Sequence, residues 1–110
     1  YGKRLPTYGR EKLQGLVNII KPGLLIALGD FRMVRYVVET IPDRPPTIFV
    51  FLVDGEKIPT SWMGTLECFD EIVTVSDFGH NELNKAGITD DAIVPLGVDT
   101  EKFKPISDAD

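Results

Sequence analysis

Two apolar runs in this 110-residue chain each stop beside a glycine and an acidic residue: residues 24–28 end at Gly29-Asp30, and residues 47–53 end at Asp54-Gly55. A carboxylate placed there has two uses. It can cap the turn and helix that follow, or it can accept hydrogen bonds from a hydroxyl-rich ligand, because an ionised carboxylate offers several acceptor positions. Both readings stand for Asp54 and for Asp30, the cap being the plainer one at Asp30 because Gly-Asp is a common strand-ending turn. Ser76 follows a third apolar run, where its hydroxyl can cap a helix or leave the capped amides facing a phosphate or an acceptor group. Trp62 reads first as core packing, with flanking a ligand cleft as the second use of its type. His80 is the only histidine; with no carboxylate or cysteine at metal-ligand spacing around it, it reads as a surface residue, and no metal is expected. Cys68, with no base in view to activate it, reads as a buried, inert thiol.

These residues need a frame, and the composition supplies an ordinary globular one: 43% hydrophobic and 26% charged residues, enough for one domain. The net charge of -5 and the scatter of Lys and Arg disfavour a nucleic-acid partner. A single cysteine excludes an internal disulfide and points to a reducing, cytoplasmic setting. The apolar runs are too short to span a bilayer. The chain starts at Tyr1 rather than at methionine and reads as part of a longer polypeptide.

Apolar spacing at Leu13, Leu16, Val17 and Ile20 predicts an amphipathic helix over 10–20, closed by Pro22-Gly23. A strand at 24–28, a helix at 31–39, a proline-rich turn at 41–46, a strand at 47–53, a helix at 61–69, a strand at 71–75, a helix at 77–86 and a strand at 92–96 follow. Phe78 and Leu83 are expected to anchor the last helix, with Gly87 as its left-handed cap. The acidic end 107–110 is expected to fray. The alternation predicts an α/β fold, a Rossmann-like three-layer α/β/α half-domain of about four parallel strands with helices on both faces. In such sheets ligands bind beyond the carboxyl ends of the strands, which directs attention to Asp30, Asp54, Gly55 and Ser76.

Residues 69–76, Phe-Asp-Glu-Ile-Val-Thr-Val-Ser, followed by Glu82-Leu83 and Ala86-Gly87-Ile88, resemble the last strand-helix unit in the N-terminal domain of GT-B-fold, family 4-type glycosyltransferases. Residues 93–105, Ile-Val-Pro-Leu-Gly-Val-Asp-Thr-Glu-Lys-Phe-Lys-Pro, are similar to that family's interdomain segment at each characteristic position. Lys21-Pro22, Val53-Asp54-Gly55, Ile58-Pro59 and Trp62 have counterparts in a subset of the family, so the resemblance runs over most of residues 10–105.

The resemblance implies that residues 1–96 belong to the acceptor-side domain and 97–110 form the exit toward a C-terminal GT-B domain. Gly97, Asp99, Phe103 and Pro105 are then hinge or interdomain residues: Gly97 would adopt a backbone conformation closed to other residues, while Phe103 and Pro105 would anchor the chain. It implies transfer of a sugar, with retention, from a nucleotide-sugar donor to a sugar, lipid or protein acceptor, without cofactor or metal, in an enzyme that is cytoplasmic or peripheral to the membrane. Many members carry a histidine near the position of Asp54; this chain has none there, and no catalytic residue is assigned. By itself the chain is expected to be inactive. The alternatives are a non-catalytic Rossmann-like binding domain that associates through its first-strand edge, and a response-regulator-like domain.

Overall fold

The computed structural model describes residues 8–107; the start of the expected domain and most of the acidic end lie outside the described residues. Along the chain come α1 (Arg10–Ile20), β1 (Leu25–Gly29), α2 (Phe31–Thr40), β2 (Thr47–Phe51), a 3-10 turn (Thr60–Trp62) leading into α3 (Met63–Leu66), β3 (Glu71–Thr74), α4 (Asp77–Lys85) and β4 (Ala92–Ile93). The strands form one four-stranded sheet in the order β1-β2-β3-β4, with every neighbouring pair parallel. This is the α/β, Rossmann-like half-domain that the alternation predicts.

Element lengths differ from expectation for local reasons. The helix expected at 61–69 is a 3-10 turn plus a single α-turn, tightened at its end by Cys68 N–H donating to Thr65 O (3.0 Å) and Phe69 N–H to Leu66 O (3.3 Å). β4 stops early because Val94 N–H makes the last rung, 2.7 Å to Thr74 O, and Pro95 has no N–H to make another. Two aspartates start the central strands. Asp70 Oδ2 accepts from Thr47 N–H (2.7 Å) and Asp91 Oδ2 from Ile72 N–H (2.8 Å), so each acid satisfies an amide where the ladder begins.

A sheet whose strands follow chain order through right-handed crossovers carries all its crossover helices on one face. Burial agrees. Phe49 and Phe51 of β2 and Ile72 of β3 share a core cluster with Phe31, Val34 and Val38 of α2, Leu66 of α3 and Leu83 of α4. The centre is aromatic, the Phe49 ring lying 4.7 Å from that of Phe51 and 4.8 Å from that of Phe69. On the other face Ile26 and Leu28 are 65% and 57% exposed, and Ile48, Val50 and Val73 are half-buried. Helices were expected on both faces; among the described residues they cover one. An apolar run shows what a face is suited to bury, not what lies against it.

α1 shows the same incompleteness. Of Leu13, Leu16, Val17 and Ile20 only Val17 is buried, because α1 packs against α2 and not over the sheet. Its start is fixed by Tyr36, whose hydroxyl donates to Tyr8 O at 2.6 Å. Burial pushes the Tyr36 hydroxyl pKa up, and the nearby Arg10 opposes this. In α4, Leu83 is the anchor expected, but Phe78 is 42% exposed and is no anchor. Its position in the first turn points it away from the core that Leu83 reaches. Ser76 caps α4, its Oγ accepting from Gly79 N–H at 3.1 Å, a bond worth about 1 kcal/mol. Gly87 follows with φ +90°, the left-handed cap read from the sequence.

Candidate functional site at the strand ends

β1 and β2 end side by side, Gly29 in register with Phe51, so the two acidic corners emerge together. Gly29 has φ +148°, a conformation that favours glycine. It turns the chain so that Asp30 caps α2: Asp30 Oδ1 accepts from Arg32 N–H at 3.0 Å, and Oδ2 lies 3.5 Å from Arg32 Nη2. The cap reading of Asp30 therefore holds.

After β2 the loop through Asp54 and Gly55 is pinned at several points. Val53 lies against Gly79, where a Cβ would come within 3.3 Å. Ile58 is buried in the core. Lys57 takes φ +58°, uncommon for a residue with a side chain, and its N–H donates to Glu82 Oε2 at 3.0 Å. Glu82 is itself buried and takes Lys85 Nζ on its other oxygen at 3.1 Å. Neither Lys57 nor Glu82 is recognisable as a loop clamp from sequence, because they lie 25 residues apart. The helical periodicity of α4 shows only that Glu82 adjoins the anchor Leu83.

The clamp has a titration consequence. The hydrogen bond from the Lys57 amide, then the one from Lys85, holds the Glu82 carboxyl below its ordinary value of 4.5. A carboxyl whose folded pKa is depressed adds stability above its unfolded pKa and loses it as pH falls through the folded value. Wild-type stability is thus expected to decline below about pH 4.5, and Glu82→Gln is expected to start less stable and lose less over that range. Urea titrations at stepped pH check this. Parallel pH profiles for the two proteins would remove Glu82 from the account.

Between the corners lies a cavity of about 250 Å³ lined by Asp30, Arg32, Asp54, Gly55, Lys57 and Trp62, with Phe51, Val53 and Ile58 among its apolar walls. Trp62 stacks on Phe31, centroids 4.3 Å apart with 20° between planes, so it is both core-packed and cleft-lining. The Asp54 carboxylate is exposed and none of the hydrogen bonds or ion pairs among the described residues involves it. Asp30, Asp54 and Gly55 are thus brought together, whereas Ser76 is not: its hydroxyl is engaged in capping, and it does not line the cavity.

The exit residues stand apart from this cleft. Asp99 closes a local turn, its Oδ1 accepting from Glu101 N–H (3.0 Å) and Lys102 N–H (3.2 Å) and its carbonyl from Phe103 N–H (2.8 Å). Three expectations are corrected. Gly97 is not in the left-handed region, and a Cβ there would meet nothing. Phe103 is 65% exposed and Pro105 is exposed, so neither anchors the chain among the described residues. The turn is complete with Asp99 alone.

Two further side chains depart from expectation. His80 is paired with a carboxylate: its Nδ1 lies 2.6 Å from Asp90 Oδ1, and Asp90, its side chain 1% exposed, accepts from Thr74 Oγ1 at 2.9 Å. Their separation of ten residues hides the pair from spacing arguments. Cys68 is exposed rather than buried, because α3 ends before it and leaves Sγ outside, 3.3 Å from Gly64 O. Among the described residues no group of three or more His, Cys, Asp or Glu could hold a metal ion, and no helix is long and apolar enough to cross a membrane.

No protein-family model, curated protein or solved structure matches the chain. What the fold and the cleft define is a class: an open parallel α/β sheet with a small cavity, part polar and part apolar, beyond the carboxyl ends of β1 and β2.

Proposed function

We propose that this chain is part of the acceptor-side domain of a glycosyltransferase that moves a sugar from a nucleotide-sugar donor to an acceptor with retention. One observation carries the reading: Asp54, with no hydrogen-bond or ion-pair partner among the described residues, and Trp62, held by Phe31, line the same cavity beyond the carboxyl ends of β1 and β2. An aromatic side chain and a carboxylate lining one cavity suit a ring with one apolar face and a rim of hydroxyls. At about 250 Å³ the cavity is near the lower end of ligand sites, roughly 300 Å³ and upward, and suits a single sugar unit. The resemblance of residues 93–105 to the interdomain segment of family 4-type enzymes supports it. In this reading Asp54 orients an acceptor hydroxyl, Trp62 supports the ring, and Glu82 holds the loop that presents Asp54. Donor, leaving diphosphate and the groups that stabilise it belong to a C-terminal GT-B domain beyond Pro105; no metal takes part, and the setting is cytoplasmic.

Saturation-transfer NMR of the chain with a panel of mono- and disaccharides tests the cleft. Transfer to at least one sugar is expected, and its titration should give a Kd raised roughly tenfold or more in Trp62→Ala and in Asp54→Asn, a loss of at least about 1.4 kcal/mol of binding. Absence of transfer to every sugar, or transfer indifferent to both substitutions, overturns the reading. A non-catalytic binding domain is favoured instead if the cleft ignores saccharides while the unpaired outer edge of β1 binds a partner.

A further inference from the structure

The aromatic wall of the cleft is carried by the shortest helical segment of the fold. Trp62 ends the 3-10 turn, and α3 after it is 4 residues long, a length that does not hold a helical shape by itself. Leu66 sits in the core with no exposed surface, and Trp62 and Met63 pack half-buried against the same core. A short segment held along one side can still roll on that side, and the roll sets the angle at which the Trp62 ring meets the cavity. α2 supplies the opposing contacts. Phe31, Arg35 and Glu39 follow one another at four-residue spacing and so form one stripe along the helix, which meets the segment 60–66 twice. At one end the Phe31 ring stacks on Trp62, centroids 4.3 Å apart. At the other, Glu39 Oε1 accepts from Thr65 Oγ1 at 3.1 Å. Arg35 joins the two contacts: its Nε donates to the same Glu39 oxygen at 2.6 Å, and its guanidinium lies 5.0 Å from the Phe31 ring centroid, within cation–π range. A closed circuit thus runs from Trp62 through Phe31, Arg35, Glu39 and Thr65 and back along α3.

We propose that Arg35 and Glu39, neither of which lines the cavity, are positioning residues that fix the orientation of Trp62 and through it set how well the cleft grips a ring. The consequence for a sugar rests on the reading of the cleft given above; the immobilisation of Trp62 does not. The stack on Phe31 alone is not enough, because it fixes the spacing of the two rings but tolerates sliding, offset arrangements being favoured. The tie at Thr65, a turn further along, removes that freedom. Its energetic scale suits a positioning role. The Arg35 and Glu39 side chains are 37% and 33% exposed, so their ion pair adds little to the stability of the whole chain. A loss too small to unfold a domain still changes the balance between two orientations of one side chain severalfold. Orientation is therefore the more sensitive property.

Trp62 is the only tryptophan, so tryptophan fluorescence reports this site and no other. In the chain without sugar, Arg35→Met and Thr65→Val are expected to raise the rate constant for acrylamide quenching of Trp62 roughly twofold or more, as losing one hydrogen bond's worth of restraint allows. Glu39→Ala should do at least as much, because it severs both ties. Thr65→Ser keeps the hydroxyl and should stay at the wild-type value. Adding Thr65→Val to Glu39→Ala should change nothing further, since the bond is already gone. Thr40→Val serves as the control on the same helix: it removes the bond from the Thr40 hydroxyl to Tyr36 O (2.6 Å), outside the circuit, and should leave quenching unchanged. Quenching indifferent to Arg35→Met and Glu39→Ala overturns the proposal, and so does equal loosening by Thr40→Val, which would mean a general softening of α2. If either α2 variant fails to fold, the contrast between Thr65→Val and Thr65→Ser decides. For any sugar that binds the wild-type chain, Arg35→Met and Glu39→Ala should raise Kd roughly threefold or more, and an unchanged Kd overturns the proposal. If no sugar binds, the reading of the cleft fails, while the fluorescence still decides the role of Arg35 and Glu39.

Discussion

Replacing Phe49 with alanine is expected to lower the unfolding free energy by about 3–5 kcal/mol, which leaves only about 0–2 kcal/mol, with up to half of the molecules unfolded, if the total stability is at the usual lower limit of about 5 kcal/mol. Phe49 has no exposed surface. Its ring contacts those of Phe51 and Phe69, so truncation opens a void between β2 and the segment leading into β3. These neighbours are held by the backbone ladder and by the Asp70 bond to Thr47 N–H, and they have little freedom to collapse into it. Urea or thermal unfolding followed by circular dichroism measures the loss. Phe49→Leu, which keeps most of the volume, should cost well under half as much. A Phe49→Ala protein within about 1 kcal/mol of wild type would mean that the core is not centred on this ring.

His80→Ala is expected to cost about 1–3 kcal/mol, a large effect for a residue whose side chain is 41% exposed. The loss arises at its partner: Asp90 is buried, and without the imidazole its Oδ1 keeps only the long bond from Asn84 Nδ2 at 3.4 Å. Complete burial of both members would put the cost nearer 3–5 kcal/mol, but the open side of the imidazole site admits water and lowers it. Because Asp90 also bonds Thr74, the pair ties α4 to β3 and to the entry of β4. Chemical denaturation of His80→Ala, Asp90→Ala and the double variant forms the appropriate cycle. The double variant should cost less than the two singles together. Strict additivity would show that the 2.6 Å contact does not act as a unit.

Function and stability meet in the loop 53–58. Asp54 and Glu56 both line the cleft with no hydrogen bond or ion pair among the described residues, and the position of Asp54 depends on contacts that are themselves structural: Val53 on Gly79, Ile58 in the core, and the Lys57 amide on Glu82. The left-handed Lys57 is the kind of strained backbone that persists only where surroundings over-determine it. Weakening the Glu82 clamp should therefore disturb the cleft before it disturbs the sheet, and amide exchange at residues 54–57 is the place to see it.

The elements were legible in the sequence because each is a local pattern: spacing of three and four at Leu13, Leu16, Val17 and Ile20, unbroken apolar runs at β1 and β2, Ser76 before α4, and Gly87 after it. The same locality explains the misses. Burial of Cys68 and Phe78 depends on where a helix ends and which side its first turn presents. The cover on each face of the sheet depends on strand order and crossover handedness, not on the apolarity of the strands. The backbone conformation read into Gly97 and the anchoring read into Phe103 turn on φ and on burial, which residue types alone do not record.

By itself the sequence determined that the chain is an α/β alternation with acidic corners at the ends of two strands, since hydrophobic period and turn residues act over a few positions. Only the tertiary structure decided that Asp30 is occupied as a cap and Asp54 is free, that Trp62 is fixed by Phe31, that Glu82 holds Lys57, and that His80 meets Asp90. Those facts rest on contacts between residues up to 31 positions apart, such as Phe31 with Trp62. Packing sets such contacts, and no local pattern records them.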